Sequence, residues 1–144
     1  MYRAVIEDLR RWKQSANRKP LILQGARQVG KTYILKEFGR LEYAQTVHVS
    51  FDRDEKARQF FNEGGSAERL IRLLSAHTET DIKPTDTLII LDEIQECPAA
   101  LEALKYFQEE TPQYHIVVAG SLLGISLHGN ASFPVGKVDM MRMF

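Results

Sequence analysis

The sequence predicts an α/β domain built on a mostly parallel sheet with helices on both faces. Three observations carry this. Short apolar runs alternate along the chain with stretches of helical periodicity, which implies crossover connections and parallel pairing. One run, "TLIILDE" from Thr87 to Glu93, is apolar at four consecutive positions, as in a strand buried on both sides. The octet "GARQVGKT", Gly25 to Thr32, directly follows the apolar run "LIL" and precedes a helical stretch.

Each element has its own signal. Tyr2, Val5, Ile6, Leu9 and Trp12 recur at helical spacing and predict an N-terminal helix. Pro20 then precedes "LILQG", a buried strand ending in glycine. Residues 30–38 suit a helix, with Gly39 as its stop. "TVHVSFD" alternates Val47, Val49 and Phe51 with polar residues and predicts a second strand. Helices are expected over 54–62 and 66–78, divided by Gly64 and Gly65. Ser66 can cap the second, whose apolar face is Ala67, Leu70, Ile71 and Leu74. Pro98 opens a helix with Leu101, Leu104 and Phe107 turned inward, and Pro112 follows its end. "HIVVAGS" is a fourth strand. "KVDMMRMF" predicts a fifth, inside which the sequence stops. Met140, Met141, Met143 and Phe144 there read as core strand.

The 144 residues suit one domain, residues 1–144, with the first helix over 1–18 and the core over 19–144. With 44% hydrophobic and 26% charged residues, the chain is neither disordered nor fibrous in composition. No apolar stretch approaches the ~20 residues of a membrane span, and the N-terminus lacks a signal-peptide core. Cys97 is the only cysteine, so neither an internal disulfide nor a multi-cysteine metal site can form. A reducing cytoplasm is the expected compartment. The net charge is zero but uneven: residues 1–40 carry ten Lys/Arg against three Asp/Glu, and residues 41–111 carry seven against fifteen. A basic end attracts phosphate, nucleic acid or an acidic partner, or else forms solvated helix faces.

The octet fits G-x-x-x-x-G-K-[ST] and sits between strand and helix, the context a phosphate-binding P-loop requires. A chance match in a chain this long is on the order of one in a hundred or rarer, from average glycine usage. Gly25 and Gly30 let the backbone turn tightly, so that the N–H groups of Gly25, Ala26, Arg27, Gln28, Val29 and Gly30 can face an anion. The helix that follows aims its positive dipole end at the same place. Lys31 supplies a mobile positive charge for the β- and γ-phosphates, and Thr32 a hydroxyl oxygen for Mg²⁺. The side chains of Arg27 and Gln28 either touch phosphate or a neighbouring subunit, or lie in solvent.

"LIILDEIQ" ends a buried strand in two acids at the edge where an open α/β sheet binds its ligand. Asp92 is expected to reach Mg²⁺ through its water shell, and Glu93 to activate the attacking water. Ser121, closing "VVAGS", either holds that water or touches the γ-phosphate, or caps the next turn. Gln95 is a weaker candidate for the same work. Trp12 either borders the adenine or packs in the core. His48, His77, His115 and His128 lack metal-ligand spacing, and Cys97 lacks a histidine partner for catalysis.

In this order, "LQGARQVGKTYILKEFG", "HVSFDRD", "LIILDEIQECPAALEALKYFQEE" and "IVVAGSLLG" resemble an additional-strand P-loop ATPase with its Walker A and Walker B segments. More narrowly, the chain resembles the AAA-type family AAA_14, whose members usually carry a C-terminal DUF4143 domain. The resemblance implies a three-layer ASCE sandwich with strand order 5-1-4-3-2, ATP and Mg²⁺ as ligands, a cytoplasmic ATPase and a conformational switch driven by hydrolysis. It leaves room for a homo-oligomer and for a DNA or protein partner. Two features depart from it. Similar proteins continue past the fourth strand with Gly-Arg, where "FPVGKVDMMRMF" places Lys137, and lysine lacks the planar fork of an arginine finger. The sequence also ends before a second domain, which reads as a core cut short at its C-terminal end.

Two other readings stay open. A nucleotide-binding switch or scaffold with little hydrolysis of its own would match the missing arginine. A small-molecule kinase would use a similar loop, but needs an arginine-rich lid and tends to lack the Asp-Glu pair. A GTPase would need Asn-Lys-x-Asp, and the chain has no Asn-Lys dipeptide.

Overall fold

A computed structural model describes residues 2–25, 30–121 and 136–143, with only the backbone of Tyr2 and Ser121. Helix α1 (Tyr2–Gln14) leads into strand β1 (Leu21–Gly25), α2 (Lys31–Glu42) and β2 (Gln45–Ser50). Then come α3 (Glu55–Glu63), α4 (Ala67–Thr78), β3 (Thr87–Asp92), a 3-10 turn (Ile94–Glu96) and α5 (Pro98–Glu110). Strands β4 (His115–Ser121) and β5 (Asp139–Arg142) complete the described chain.

The strands form one sheet in the order β2-β3-β4-β1-β5, which read from the other edge is 5-1-4-3-2. Every described pairing is parallel. The alternating sequence therefore folds as its crossovers require. Strand β3 is buried at all six positions because it is central and covered on both faces.

The two faces are distinct cores. Helices α1 and α2 cover one, where Leu9, Trp12, Ile34, Leu35 and Phe38 meet Leu21, Leu23, Leu88, Ile90, Val117 and Ala119. Helices α3, α4 and α5 cover the other, where Phe51, Phe61, Leu74, Leu101, Leu104 and Phe107 meet Ile22, Ile89, Leu91, Ile116 and Val118. Odd and even positions of each strand go to opposite faces, as strand geometry dictates. The result is the three-layer sandwich the sequence predicts.

Several boundaries follow from local chemistry. The Asp54 side chain accepts from the Ala57 amide and the Ser66 side chain from the Arg69 amide, so both helices start one residue after their caps. Gly39 is not a stop. Helix α2 runs through it to Glu42, and Gly39 lies buried where β2 crosses close by. A Cβ at this position would lie 3.2 Å from Thr46 Cβ and 3.0 Å from Thr46 Cγ2, so the glycine serves close packing, not termination. Just past β5, Met143 is buried, whereas Met140 within the strand is 46% exposed, and Phe144 lies outside the described residues.

Candidate functional site

Parallel pairing brings four strand ends to one edge. Gly25 is in register with Ser121, and Ser50 with Asp92. Helix α2 starts at this edge. Its N-cap residue, Gly30, has φ 82° and ψ 27°, a left-handed conformation that suits glycine. Glycine offers no side-chain oxygen to cap this terminus, which leaves the N-cap position open to a backbone or ligand partner. Ala26, Arg27, Gln28 and Val29 lie outside the described residues.

Beside Gly30, Lys31 Nζ donates to the Gly25 carbonyl at 2.9 Å, which draws the ammonium over the start of the loop. Thr32 Oγ1 donates to Asp92 Oδ2 at 2.6 Å, joining residues sixty positions apart. The two oxygen groups expected to share an ion are therefore neighbours. A hydroxyl and a carboxylate are hard donors, which suits Mg²⁺ completed by water and phosphate oxygens. Among the described residues no group of three or more His, Cys, Asp or Glu could hold a metal unaided. Thr32 and Asp92 alone would leave most coordination positions of such an ion to water and phosphate oxygens.

Asp92 has two further donors. The Glu93 amide donates to Oδ1 at 2.9 Å. His48 Nε2 lies 3.0 Å from Oδ2, and facing a carboxylate the ring nitrogen is the donor. Burial alone would raise the Asp92 carboxyl. The hydrogen bonds from His48, Thr32 and the Glu93 amide outweigh it and hold the carboxyl below its ordinary 3.8. Spacing along the sequence could not reveal His48, because its contact depends on which residue β2 aligns with β3. The available signal was a polar residue in a strand beside the acid-ending strand.

Glu93 takes a left-handed backbone, φ 52°, uncommon for a residue with a side chain. Its Oε1 accepts from Gln95 Nε2 at 2.6 Å. The 3-10 turn that holds Gln95 packs on the end of β4. Ser121 has its backbone at this edge, and its side chain is not described.

The remaining candidates lie elsewhere. Trp12 is 6% exposed, stands edge-on to Phe38 and His115, and donates through Nε1 to the Lys19 carbonyl at 2.7 Å. Lys19 precedes β1, roughly 16 Å of strand from the P-loop end. Trp12 packs in the core beside the start of β1. His77 pairs with Asp54 at 2.7 Å and His115 with Tyr43 at 2.6 Å, while His128 lies outside the described residues. Cys97 is buried, and burial raises its thiol pKa, which disfavours the reactive thiolate. Lys137 Nζ sits 3.5 Å from Glu109 Oε2 on α5.

The family model described as AAA domain, AAA_14, matches residues 17–144. The chain belongs to this AAA-domain family. Among solved structures, the Aeropyrum pernix Orc1 protein in complex with DNA is similar at 16% identity with a TM-score of 0.60. The alignment covers 98% of this chain and 43% of that one, so this chain spans less than half of that neighbour. At this identity the likeness establishes the fold, and 145 solved chains match in all. No curated protein sequence matches. Family and fold together give a nucleotide-binding, ATPase-like core.

Proposed function

We propose that this chain binds Mg-ATP at the edge formed by Gly25–Thr32, Asp92 and Glu93 and hydrolyses it. The observation that carries the reading is the 2.6 Å bond from Thr32 to Asp92, which unites the two metal-side candidates across the mouth of the sheet. The amides of the octet and the α2 N-terminus would face the phosphates, and Lys31 would leave the Gly25 carbonyl for a phosphate oxygen. Thr32 and Asp92 would hold Mg²⁺, which neutralises charge developing on the transferred phosphoryl group. Glu93 would orient and deprotonate water, with Ser121 beside it.

Calorimetry with Mg-ATP on the wild type and Lys31→Ala tests the site. Binding should be measurable for the first and lost for the second. Equal affinity for both would refute the assignment. Turnover by the wild type and its loss in Glu93→Gln, with binding kept, tests hydrolysis.

The second reading is a nucleotide-binding switch that hydrolyses little by itself. It is supported by Lys137, which stands in place of an expected arginine and pairs with Glu109 of its own chain. Wild-type binding without turnover would favour it. A DNA partner is a further proposal, prompted by the basic first forty residues and the DNA-bound neighbour. Internal pairing weakens it: Arg10 meets Glu7 and Glu42, Arg11 meets Asp8, and Arg40 meets Glu37. A DNA titration at several salt concentrations would decide.

A further inference from the structure

Gln95 is 9% exposed, and its Oε1 is buried with no hydrogen-bond partner among the described residues. Buried side-chain acceptors normally find a donor, and an exception calls for a reason. The amide cannot be turned over to relieve it, because Oε1 would then face the Glu93 carboxylate at the 2.6 Å now spanned by Nε2. The orientation that leaves Oε1 unsatisfied is the one that lets Gln95 donate to Glu93.

The seat for this amide is built into β4. A Cβ on Gly120 would lie 2.7 Å from Gln95 Oε1 and 2.8 Å from Ile94 Cγ2. The turn can therefore lie flat on the strand only where position 120 has no side chain. Glu93 meanwhile takes its left-handed backbone, which turns the chain from β3 into that same turn. An orphaned oxygen, a required glycine and an unusual backbone thus accompany one contact, between an amide and a carboxylate at the candidate catalytic edge.

We propose that Gln95 is a positioning residue for Glu93. It holds the carboxylate through Nε2, and its seat on Gly120 ties that carboxylate to the end of β4, one residue before Ser121. This rests on the hydrolysis reading above. On this reading Gln95 acts through Glu93, so its effect belongs in turnover and not in affinity.

The test compares wild type, Gln95→Leu and Gly120→Ala for Mg-ATP affinity by calorimetry, for kcat and KM, and for Tm. Leucine fills the site and removes the orphaned oxygen. Gln95→Leu should keep Mg-ATP affinity within about twofold and Tm unchanged or raised, while kcat falls by ~10-fold or more, a fraction of what a general base supplies. Gly120→Ala, which displaces the amide, should lower kcat in the same way with affinity kept. Unchanged kcat in Gln95→Leu overturns the proposal, as does a kcat loss matched by a fall in Tm. A second arm does not need turnover: the Gln95 side-chain amide proton resonances in the nucleotide-free protein should shift on Glu93→Ala. Unmoved resonances overturn the proposal whether or not the chain hydrolyses ATP. Absent wild-type turnover alongside shifted resonances would sink the hydrolysis reading and uphold the hold of Gln95 on Glu93.

Discussion

Acidification should destabilise this domain through one buried histidine, and the size of the effect can be worked out. His115, the first residue of β4, is 3% exposed. It shares a 2.6 Å hydrogen bond with the Tyr43 hydroxyl and stands edge-on to Trp12 and Tyr43. Burial, then the positive charges of Arg18 and Lys13, push its pKa from 6.5 down to about 4. The unfolded chain therefore binds a proton between those values that the folded chain refuses. Stability rises with pH across this window and is lost as pH falls from about 6.5 toward 4. At ~1.36 kcal/mol per pKa unit, going from pH 7 to pH 5 should cost about 2 kcal/mol from this group alone. Urea unfolding at both pH values, on wild type and His115→Asn, isolates the effect, because all other titrating groups are common to the two proteins. Asparagine keeps a polar partner for Tyr43 but does not titrate. The variant should be less stable at pH 7 and lose about 2 kcal/mol less than wild type on acidification. A stability difference that is the same at pH 7 and pH 5 would refute the reasoning.

His48→Ala removes one of three donors to Asp92 and should raise the Mg²⁺ concentration needed for ATP binding by ~10-fold or more, with binding in EDTA unchanged. His48→Gln, which can still donate, should recover most of the loss, and calorimetry at stepped Mg²⁺ would show whether it does. Gly39→Ala gains helix propensity of ~1 kcal/mol but crowds Thr46, and overpacking costs ~1–3 kcal/mol, so the net should be a loss of about 1 kcal/mol. In a Thr46→Ala background that loss should shrink toward zero. An equal loss in both backgrounds, read from denaturant midpoints, would show that Thr46 is not the obstacle.

The parts of the fold legible in the sequence were those set by local chemistry. Alternating apolar runs and amphipathic stretches fixed element order, and parallel crossovers followed from that order. The octet and the two acids were legible for a related reason: both sit where a strand gives way to another element, and strand ends in a parallel sheet share one edge. What stayed hidden depends on contacts between elements. His48 reads as an alternating polar residue until β2 is placed beside β3, with Ser50 in register with Asp92. Gly39 reads as a stop because glycine ends many helices, and only the approach of Thr46 explains its place inside α2. Trp12 was read two ways, and its burial with a bond to the Lys19 carbonyl bears out the core-packing one. Gln95 was ranked low because no pattern shows that position 120 has room for its amide.

The arrangement around Asp92 also bears on how such a site could act. Asp92 is 6% exposed, and its carboxylate already accepts from three donors, on α2, on β2 and at the next backbone amide. Each donor comes from an element fixed by one of the two hydrophobic cores, so the carboxylate is oriented by folding. Groups ordered in advance do not lose that freedom again on binding, and this favours affinity without adding contacts. The Thr32 hydroxyl can go on donating to Asp92 while its oxygen lone pairs face outward, because a hydroxyl has one proton to give and two lone pairs to offer. Glu93 is different. Among the described residues its side chain is tied to Gln95, which sits against Gly120 on the face of the sheet opposite Thr32. The carboxylate proposed for the metal is thus held on the α1–α2 face of the sheet, and the one proposed for the water by the turn that leads into α5. On the proposed reading, unseating Gln95 from Gly120 would disturb Glu93 and leave Asp92 with its three donors, so turnover would respond where nucleotide binding would not.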